Sequence, residues 1–255
     1  MSSVNPRTAL MIAGLMILIS QSPLIEYKSY TSSGNEPVLD DTDEQLFVGE
    51  QHDVSLVKDI NVGTGDGQVD HITKMGSHIY FQAEDTHEIG TELWKSDGTA
   101  SGTIMLKEIC PQVNCDGNPN PGNTLGSNRE MAVIGNTLYF EASSTYCSSS
   151  PCSTELWKTD GTTSGTVMVK LFDQGQLKYM TPLGNTLFFQ ADDSISGREL
   201  WKSDGTESGT MMVKDINTES GYLGSSPSEL TPIGNTLYFS AHDGFSTQLW
   251  KSDGT

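Results

Sequence analysis

From about residue 68 onward the hydrophobic positions fall in short runs of four to seven residues, separated by Gly, Asn, Asp and Ser. The clearest stretch predicts a strand at 177–183, a Gly184-Asn185 turn, a strand at 186–191 (TLFFQA) and a loop at 192–197. A third strand follows at 199–203 (ELWKS), then the turn DGTESG and a fourth strand at 210–216 (TMMVKDI). Gly-Asn suits a two-residue hairpin, because both residues tolerate positive φ. Asp-Gly opens the next turn, with the Asp side chain bonding back to nearby backbone. No stretch has helical period. Within the strands apolar residues do not simply alternate: Leu200 and Trp201 are adjacent, as are Leu187, Phe188 and Phe189, and Met211, Met212 and Val213. Neighbours in a strand point to opposite faces, so both faces of each sheet are expected to be covered. A two-layer sandwich leaves one face of each sheet wet, whereas the blade of a propeller is covered by its neighbours on either side.

The same pattern recurs. TELWKSDGT at 91–99, TELWKTDGT at 154–162, RELWKSDGT at 198–206 and TQLWKSDGT at 247–255 are near copies. Each follows a turn and an aromatic strand: MGSHIYFQA, IGNTLYFEA, LGNTLFFQA and IGNTLYFSA. Three copies run on into SGTIMLKEI, SGTVMVKLF and SGTMMVKDI. A fixed period of this size marks a repeat architecture. The expected fold is all-β, a β-propeller of four-stranded antiparallel blades with units at 68–109, 128–172, 177–216 and 228–255. The fourth unit stops in its DGT turn, while SLVKDI at 55–60 matches the fourth-strand phrase. Either that strand closes a four-bladed ring, or the chain is part of a larger array.

Ahead of the repeats, Arg7 precedes an apolar run, 9–20, of the length of a signal-peptide core and too short for a bilayer span. Residues 1–25 are therefore expected to be a signal peptide or an uncleaved anchor. Residues 26–52 are acidic and lack hydrophobic period, as a flexible tether would. The repeats occupy 53–255. The net charge of −19, from 14 basic and 33 acidic residues, argues against nucleic acid, which is held through clustered Lys and Arg. It suits solubility, salt tolerance or divalent cations. Any membrane association would run through the N-terminal anchor.

The phrases closely resemble the ELWxxDGT repeat family, hyalin-like repeats of secreted or surface proteins. The likeness covers about 200 of the 255 residues. It is carried by Glu92, Leu93, Trp94, Asp97, Gly98 and Thr99, by Glu155, Leu156, Trp157, Asp160, Gly161 and Thr162, and by Glu199, Leu200, Trp201, Asp204, Gly205 and Thr206. Gln248 departs from the pattern in the fourth copy. The resemblance implies an extracellular β-propeller-like array and no established catalytic activity.

Four cysteines pair most simply as Cys110–Cys115 and Cys147–Cys152, two loop staples that fit an oxidising compartment. The chain is thus expected to be secreted or on the cell surface. The aspartates of the DGT turns, Asp97, Asp160, Asp204 and Asp253, are expected to fix their own turns through backbone N–H groups. The sharper alternative is calcium, held by these residues with loop acids such as Asp192 and Asp193. Trp94, Trp157, Trp201 and Trp250 are read as packing residues, and strand alternation points Lys95, Lys158, Lys202 and Lys251 outward. The five histidines are scattered, and no G-x-S-x-G, H-E-x-x-H or phosphate loop is present. A propeller glycosidase would need two converging carboxylates, for which non-repeated acids such as Glu130, Asp173 and Glu229 are candidates that nothing in the sequence ranks. The primary expectation is a non-enzymatic scaffold for display, adhesion or recognition of a protein or glycan. Its binding residues would lie in the 110–127 insertion, the 146–153 loop and segment 217–227. The alternatives are a polysaccharide hydrolase and a spacer in a longer surface protein.

Overall fold

The computed structural model describes residues 54–63, 65–85, 91–109, 131–144, 153–218 and 224–255, and the backbone of 10–12, 15–18 and 26–29. The chain divides into two units, Met1–Asp53 and Val54–Thr255. In the first, β1 (Leu10–Ile12), β2 (Leu15–Leu18) and β3 (Glu26–Ser29) form a three-stranded antiparallel sheet. Part of the apolar run is thus paired with itself, and the first residues of the acidic segment add an edge strand.

The second unit is four antiparallel sheets in sequence order, and no helix occurs among the described residues. Sheet 1 holds β4 (Asp70–Met75), β5 (His78–Glu84), β6 (Thr91–Ser96) and β7 (Ile104–Lys107). Sheet 2 holds β8 (Met131–Ile134), β9 (Thr137–Ala142), β10 (Thr154–Thr159) and β11 (Val167–Phe172). Sheet 3 holds β12 (Gln174–Leu183), β13 (Thr186–Asp192), β14 (Arg198–Ser203) and β15 (Met211–Lys214). Sheet 4 has three strands: β16 (Ser228–Ile233), β17 (Thr236–His242) and β18 (Thr247–Ser252). Among the described residues no pairing joins segment 55–60 to β18, and no closed ring is shown.

The hairpin joining the first two strands of every sheet turns on a glycine, Gly76, Gly135, Gly184 or Gly234, with φ between 59° and 61°. Only this glycine takes positive φ; the Asn or Ser after it does not, which is the type II′ pattern. A register shift between Leu and Trp of the third strand recurs at Leu93/Trp94, Leu156/Trp157 and Leu200/Trp201.

That adjacent Leu-Trp pair explains how the sheets stack. Leu93 faces forward onto sheet 2, packing with Leu138, Phe140, Ala142 and Trp157 of that sheet's rear face. Leu156 faces Leu187, Phe189, Ala191 and Trp201 in the same way, and Leu200 faces Leu237, Phe239, Ala241 and Trp250. The forward Leu is 0 % exposed in sheets 1 and 2 and 1 % in sheet 3. The expectation that both faces of the sheets are covered therefore holds at every internal junction. Neighbouring sheets touch mainly through their first strands.

Candidate recognition surface

The residues that repeat are already employed. In each DGT turn the carboxylate caps its own loop: Asp97 Oδ1 accepts the Thr99 amide at 2.9 Å and the Thr99 hydroxyl at 2.7 Å. Thr99 Oγ1 in turn accepts the Gly102 amide at 2.9 Å, and Thr103 Oγ1 donates to Thr99 O at 2.7 Å. Thr103 also shares a 2.7 Å hydrogen bond with Ser96 Oγ, which accepts the Gly98 amide at 3.0 Å. The same set recurs around Asp160 and Asp204, and its first part around Asp253. Glycine follows at 102, 165 and 209 because a Cβ there would overlap the Asp side chain. The Thr hydroxyl first, and then its amide, hold all four aspartates below the ordinary carboxylate range. The turn-fixing role read from the sequence is the one the geometry gives. Asp192 and Asp193 likewise accept amides of their own loop, from Ser194, Ile195 and Ser196. Among the described residues no three of His, Cys, Asp and Glu converge as a metal cluster.

The Glu of the ELW phrase is buried and binds chain segments together. Glu92 accepts the Ile109 amide at 2.9 Å. Glu155 accepts the Ser144 amide and hydroxyl at 3.0 and 2.6 Å, and the Trp157 indole at 2.7 Å. Glu199 accepts the Ile216 amide and both the amide and hydroxyl of Ser225. Burial raises the Glu199 carboxyl above its ordinary value, opposed first by the Ser225 hydroxyl. Of segment 217–227, read from sequence as a binding loop, 219–223 lie outside the described residues, and Asn217, Gly224 and Ser225 are engaged in the fold. Ser225 is 1 % exposed, and Asn217 Nδ2 donates to Gly224 O at 3.0 Å.

One expectation fails. The Lys after Trp94, Trp157 and Trp201 does not point into solvent but reaches forward to the next sheet's turn, whereas Lys251 is exposed as expected. Lys95 Nζ donates to Gly161 O at 2.7 Å, Lys158 Nζ to Gly205 O at 2.7 Å, and Lys202 Nζ to Gly254 O. Strand alternation sends this side chain to the Leu face, and that face is an interface, so its long stem spans the gap. Beside it Tyr80 and Tyr139 press their hydroxyls on Gly161 and Gly205, and Phe188 its ring on Gly254. A second lysine, in the fourth strand, sits over the next sheet's indole. Lys107 lies 5.5 Å from the Trp157 ring centroid, Lys170 5.9 Å from Trp201 and Lys214 5.9 Å from Trp250. The tryptophans are packing residues, as expected, and cation–π partners besides.

What varies is a backbone position in the first strands. His71, Tyr179 and Glu229 occupy equivalent places, with φ of 56°, 57° and 56°. Each sits in a register shift of the first hairpin. Two residues on, Thr73, Thr181 and Thr231 donate their hydroxyls to the carbonyls of His71, Tyr179 and Glu229, at 3.3, 2.9 and 2.9 Å. A left-handed non-glycine residue is strained, and bulges commonly re-aim a side chain beside a functional site. Of the three acids singled out from sequence, Glu229 is on this position, and Asp173 is exposed between β11 and β12. Glu130, at the corresponding place in sheet 2, lies outside the described residues, as do all four cysteines, the 110–127 insertion and all but Ser153 of the 146–153 loop. Sequence reasoning missed His71 and Tyr179. The only signal was their place one residue before an aligned apolar residue (Ile72, Met131, Met180, Leu230) in each unit.

Two cavities, of about 420 and 450 Å³, open at the junction of sheets 3 and 4. Both are lined by repeat positions, among them Val213, Lys214 and Trp250 in one and Phe188, Lys202 and Gly254 in the other.

No protein-family model matches the chain, and no curated protein matches its sequence. Among solved structures it is similar to the computationally designed Ika4 protein, at 11% identity and a TM-score of 0.40, over 77% of this chain and 98% of that one. A prolyl endopeptidase structure aligns at 12% identity and a TM-score of 0.44, over 72% of this chain and 27% of the enzyme. A putative TolB from Agrobacterium tumefaciens aligns at 9% identity and a TM-score of 0.39, over 94% of this chain and 71% of that one. Likenesses this weak carry no argument about what the chain does.

Proposed function

We propose that this protein is a non-enzymatic, exported scaffold of the β-propeller type that recognises a protein or glycan through the first-strand bulge residues. One observation carries the reading. The polar side chains that repeat are committed to turns, loop anchors and sheet junctions, whereas the strained position carries a different residue each time: His71, Tyr179 and Glu229. A ring, a phenol and a carboxylate offer stacking and hydrogen-bonding groups of the kind that hydroxyl-rich or peptide ligands engage. The two cavities, lined by repeat residues, supply no pair of non-repeated carboxylates for hydrolysis. The resemblance to ELWxxDGT repeats supports the same reading.

The test uses the full chain on a printed glycan array and on a panel of immobilised extracellular proteins, beside the variant His71→Gly/Tyr179→Gly/Glu229→Gly. Glycine relieves the left-handed strain, of the order of 1 kcal/mol per site, so the variant is expected to be at least as stable as the parent. Its affinity for any captured ligand should fall tenfold or more. Unchanged affinity would place recognition elsewhere, and release of reducing sugar from a polysaccharide substrate would replace this reading with a hydrolase.

A further inference from the structure

The loops joining the second and third strands of sheets 3 and 4 share one construction, Asp193-Ser194-Ile195-Ser196 and Asp243-Gly244-Phe245-Ser246. Asp193 Oδ1 accepts the Ile195 and Ser196 amides at 3.0 and 2.7 Å. Asp243 Oδ1 accepts the Phe245 and Ser246 amides, both at 2.9 Å. The last residue of the second strand closes the other side of each loop. Asp192 Oδ1 accepts the Ser194 amide at 2.8 Å, and His242 Nδ1 accepts the Gly244 amide at 3.0 Å. Ser194 and Gly244 both take positive φ, 63° and 98°. What this shared frame presents is one large apolar side chain: Ile195 is 80 % and Phe245 83 % exposed. Sheet 3 has a sheet on either side, so the exposure of Ile195 belongs to its loop. A single exposed apolar residue is ordinary on a protein surface. Two held at the same place by the same hydrogen bonds are not scatter, and a side chain left in water adds nothing to the core.

These tips stand at the end of the array where the first strands begin. Asp192 lies opposite Gln174, at the start of β12, and Ser240, two residues before His242, lies opposite Ser228, at the start of β16. The bulge residues Tyr179 and Glu229 are on those same strands. Beside sheet 1 at this end, where Gly67 O accepts the Glu84 amide, Val62 and Val69 are 84 % and 49 % exposed. The apolar tips sit in an acidic field: Asp66, Asp70, Asp173, Asp192, Asp193 and Asp243 are exposed or half-exposed. Arg198, opposite Asp192, is a cation among them. The Ser246 amide, and then that of Phe245, hold the Asp243 carboxyl below the ordinary range, so it stays charged beneath its tip.

We propose that this end of the array docks a polypeptide segment that alternates apolar and basic side chains, with Ile195 and Phe245 as the anchors. The proposal rests on the recognition reading above and narrows its ligand from protein or glycan to protein. An isoleucine has no group to pair with a sugar hydroxyl, whereas an apolar side chain of a peptide gains by covering it. The acids around the tips select cationic neighbours. They repel phosphate headgroups, and they repel a second copy of this chain, whose net charge is also −19. Because each tip is already fixed by its own loop, little further order is lost when it is covered.

Three synthetic peptides of equal length, alternating Lys with Leu, Lys with Ser and Glu with Leu, are titrated against the full chain. The Lys–Leu peptide should bind, and the other two should bind far more weakly. Ile195→Ser/Phe245→Ser should weaken Lys–Leu binding roughly tenfold or more, yet melt with the parent, because neither side chain packs in the fold. No binding of the Lys–Leu peptide would overturn the proposal, as would binding that this variant leaves unchanged. Equal binding of the Lys–Ser peptide would reduce the contact to charge alone, and binding to phosphatidylcholine vesicles that the variant abolishes would make the partner a lipid surface; either also overturns it. The chain carrying His71→Gly/Tyr179→Gly/Glu229→Gly separates this proposal from the reading it rests on. A glycan lost by that chain and kept by the tip variant would overturn the present proposal and leave the recognition reading standing. Lys–Leu binding kept by that chain and lost by the tip variant would support the tips and overturn the bulge assignment.

Discussion

Asp160 and Glu199 are both motif carboxylates, yet their proton affinities move in opposite directions. The Asp160 carboxyl is exposed and held low, chiefly by the Thr162 hydroxyl. A lowered folded value means that the unfolded chain binds more protons as pH falls. The stability contributed by Asp160 is therefore present above the ordinary aspartate value and lost as pH drops through the lowered one. Glu199 is raised by burial, so its contribution is full below the ordinary glutamate value and is lost as pH rises through the raised one. Urea midpoints measured from strongly acidic to neutral pH should separate the two. Asp160→Asn flattens the strongly acidic limb, whereas Glu199→Gln flattens the mildly acidic one. Equal effects in one window would refute the assignment. The sequence allowed the turn-capping role of Asp160 to be read, because Asp-Gly-Thr is a local signal. It did not show that Glu199 anchors Ser225, 26 residues away, because that partner is set by folding.

Between sheets, the junction is the unit of stability, and glycine probes it. Gly98 and Gly161 have nearly the same φ, 91° and 90°, but only Gly161 bears the Tyr80 hydroxyl. Gly98→Ala should cost about 1–2 kcal/mol, the price of a left-handed alanine. Gly161→Ala adds overpacking at the junction of about 1–3 kcal/mol more. The difference between the two in denaturant unfolding reads the junction directly, and identical losses would show that Tyr80 yields freely. Gly161 was legible as a turn residue. Its second duty, admitting a side chain from the preceding sheet, has no trace in local sequence.

For the second unit as a whole, burial is uneven along the array. Among the described residues, sheets 2 and 3 are covered on both faces, whereas the front of sheet 4 is exposed and the rear of sheet 1 is met by segment 54–60. In a stacked array each sheet is stabilised by its neighbours, so a sheet with one uncovered face opens first. Amide exchange should protect β9 and β13 most and β17 and β18 least. Trp250, only half-buried, should be quenched by acrylamide before Trp157 and Trp201. Uniform protection from sheet 1 to sheet 4 would mean that the outer faces are covered within one chain.

Sequence alone determined the strands, their hairpins and the two-faced burial, because each depends on neighbours a few residues apart: Gly for a left-handed turn, Leu beside Trp for opposite faces. It also showed that SLVKDI at 55–60 matches the fourth-strand phrase. Tertiary structure decided where the long side chains end. Lys95 crosses to Gly161 rather than to water, Lys58 settles on Trp94, and segment 54–60 lies on sheet 1 without a described pairing to β18. It also decided that His71, Tyr179 and Glu229 share one strained place. Spacing along a chain fixes which face a side chain leaves from; what it meets there depends on which sheet packs against that face.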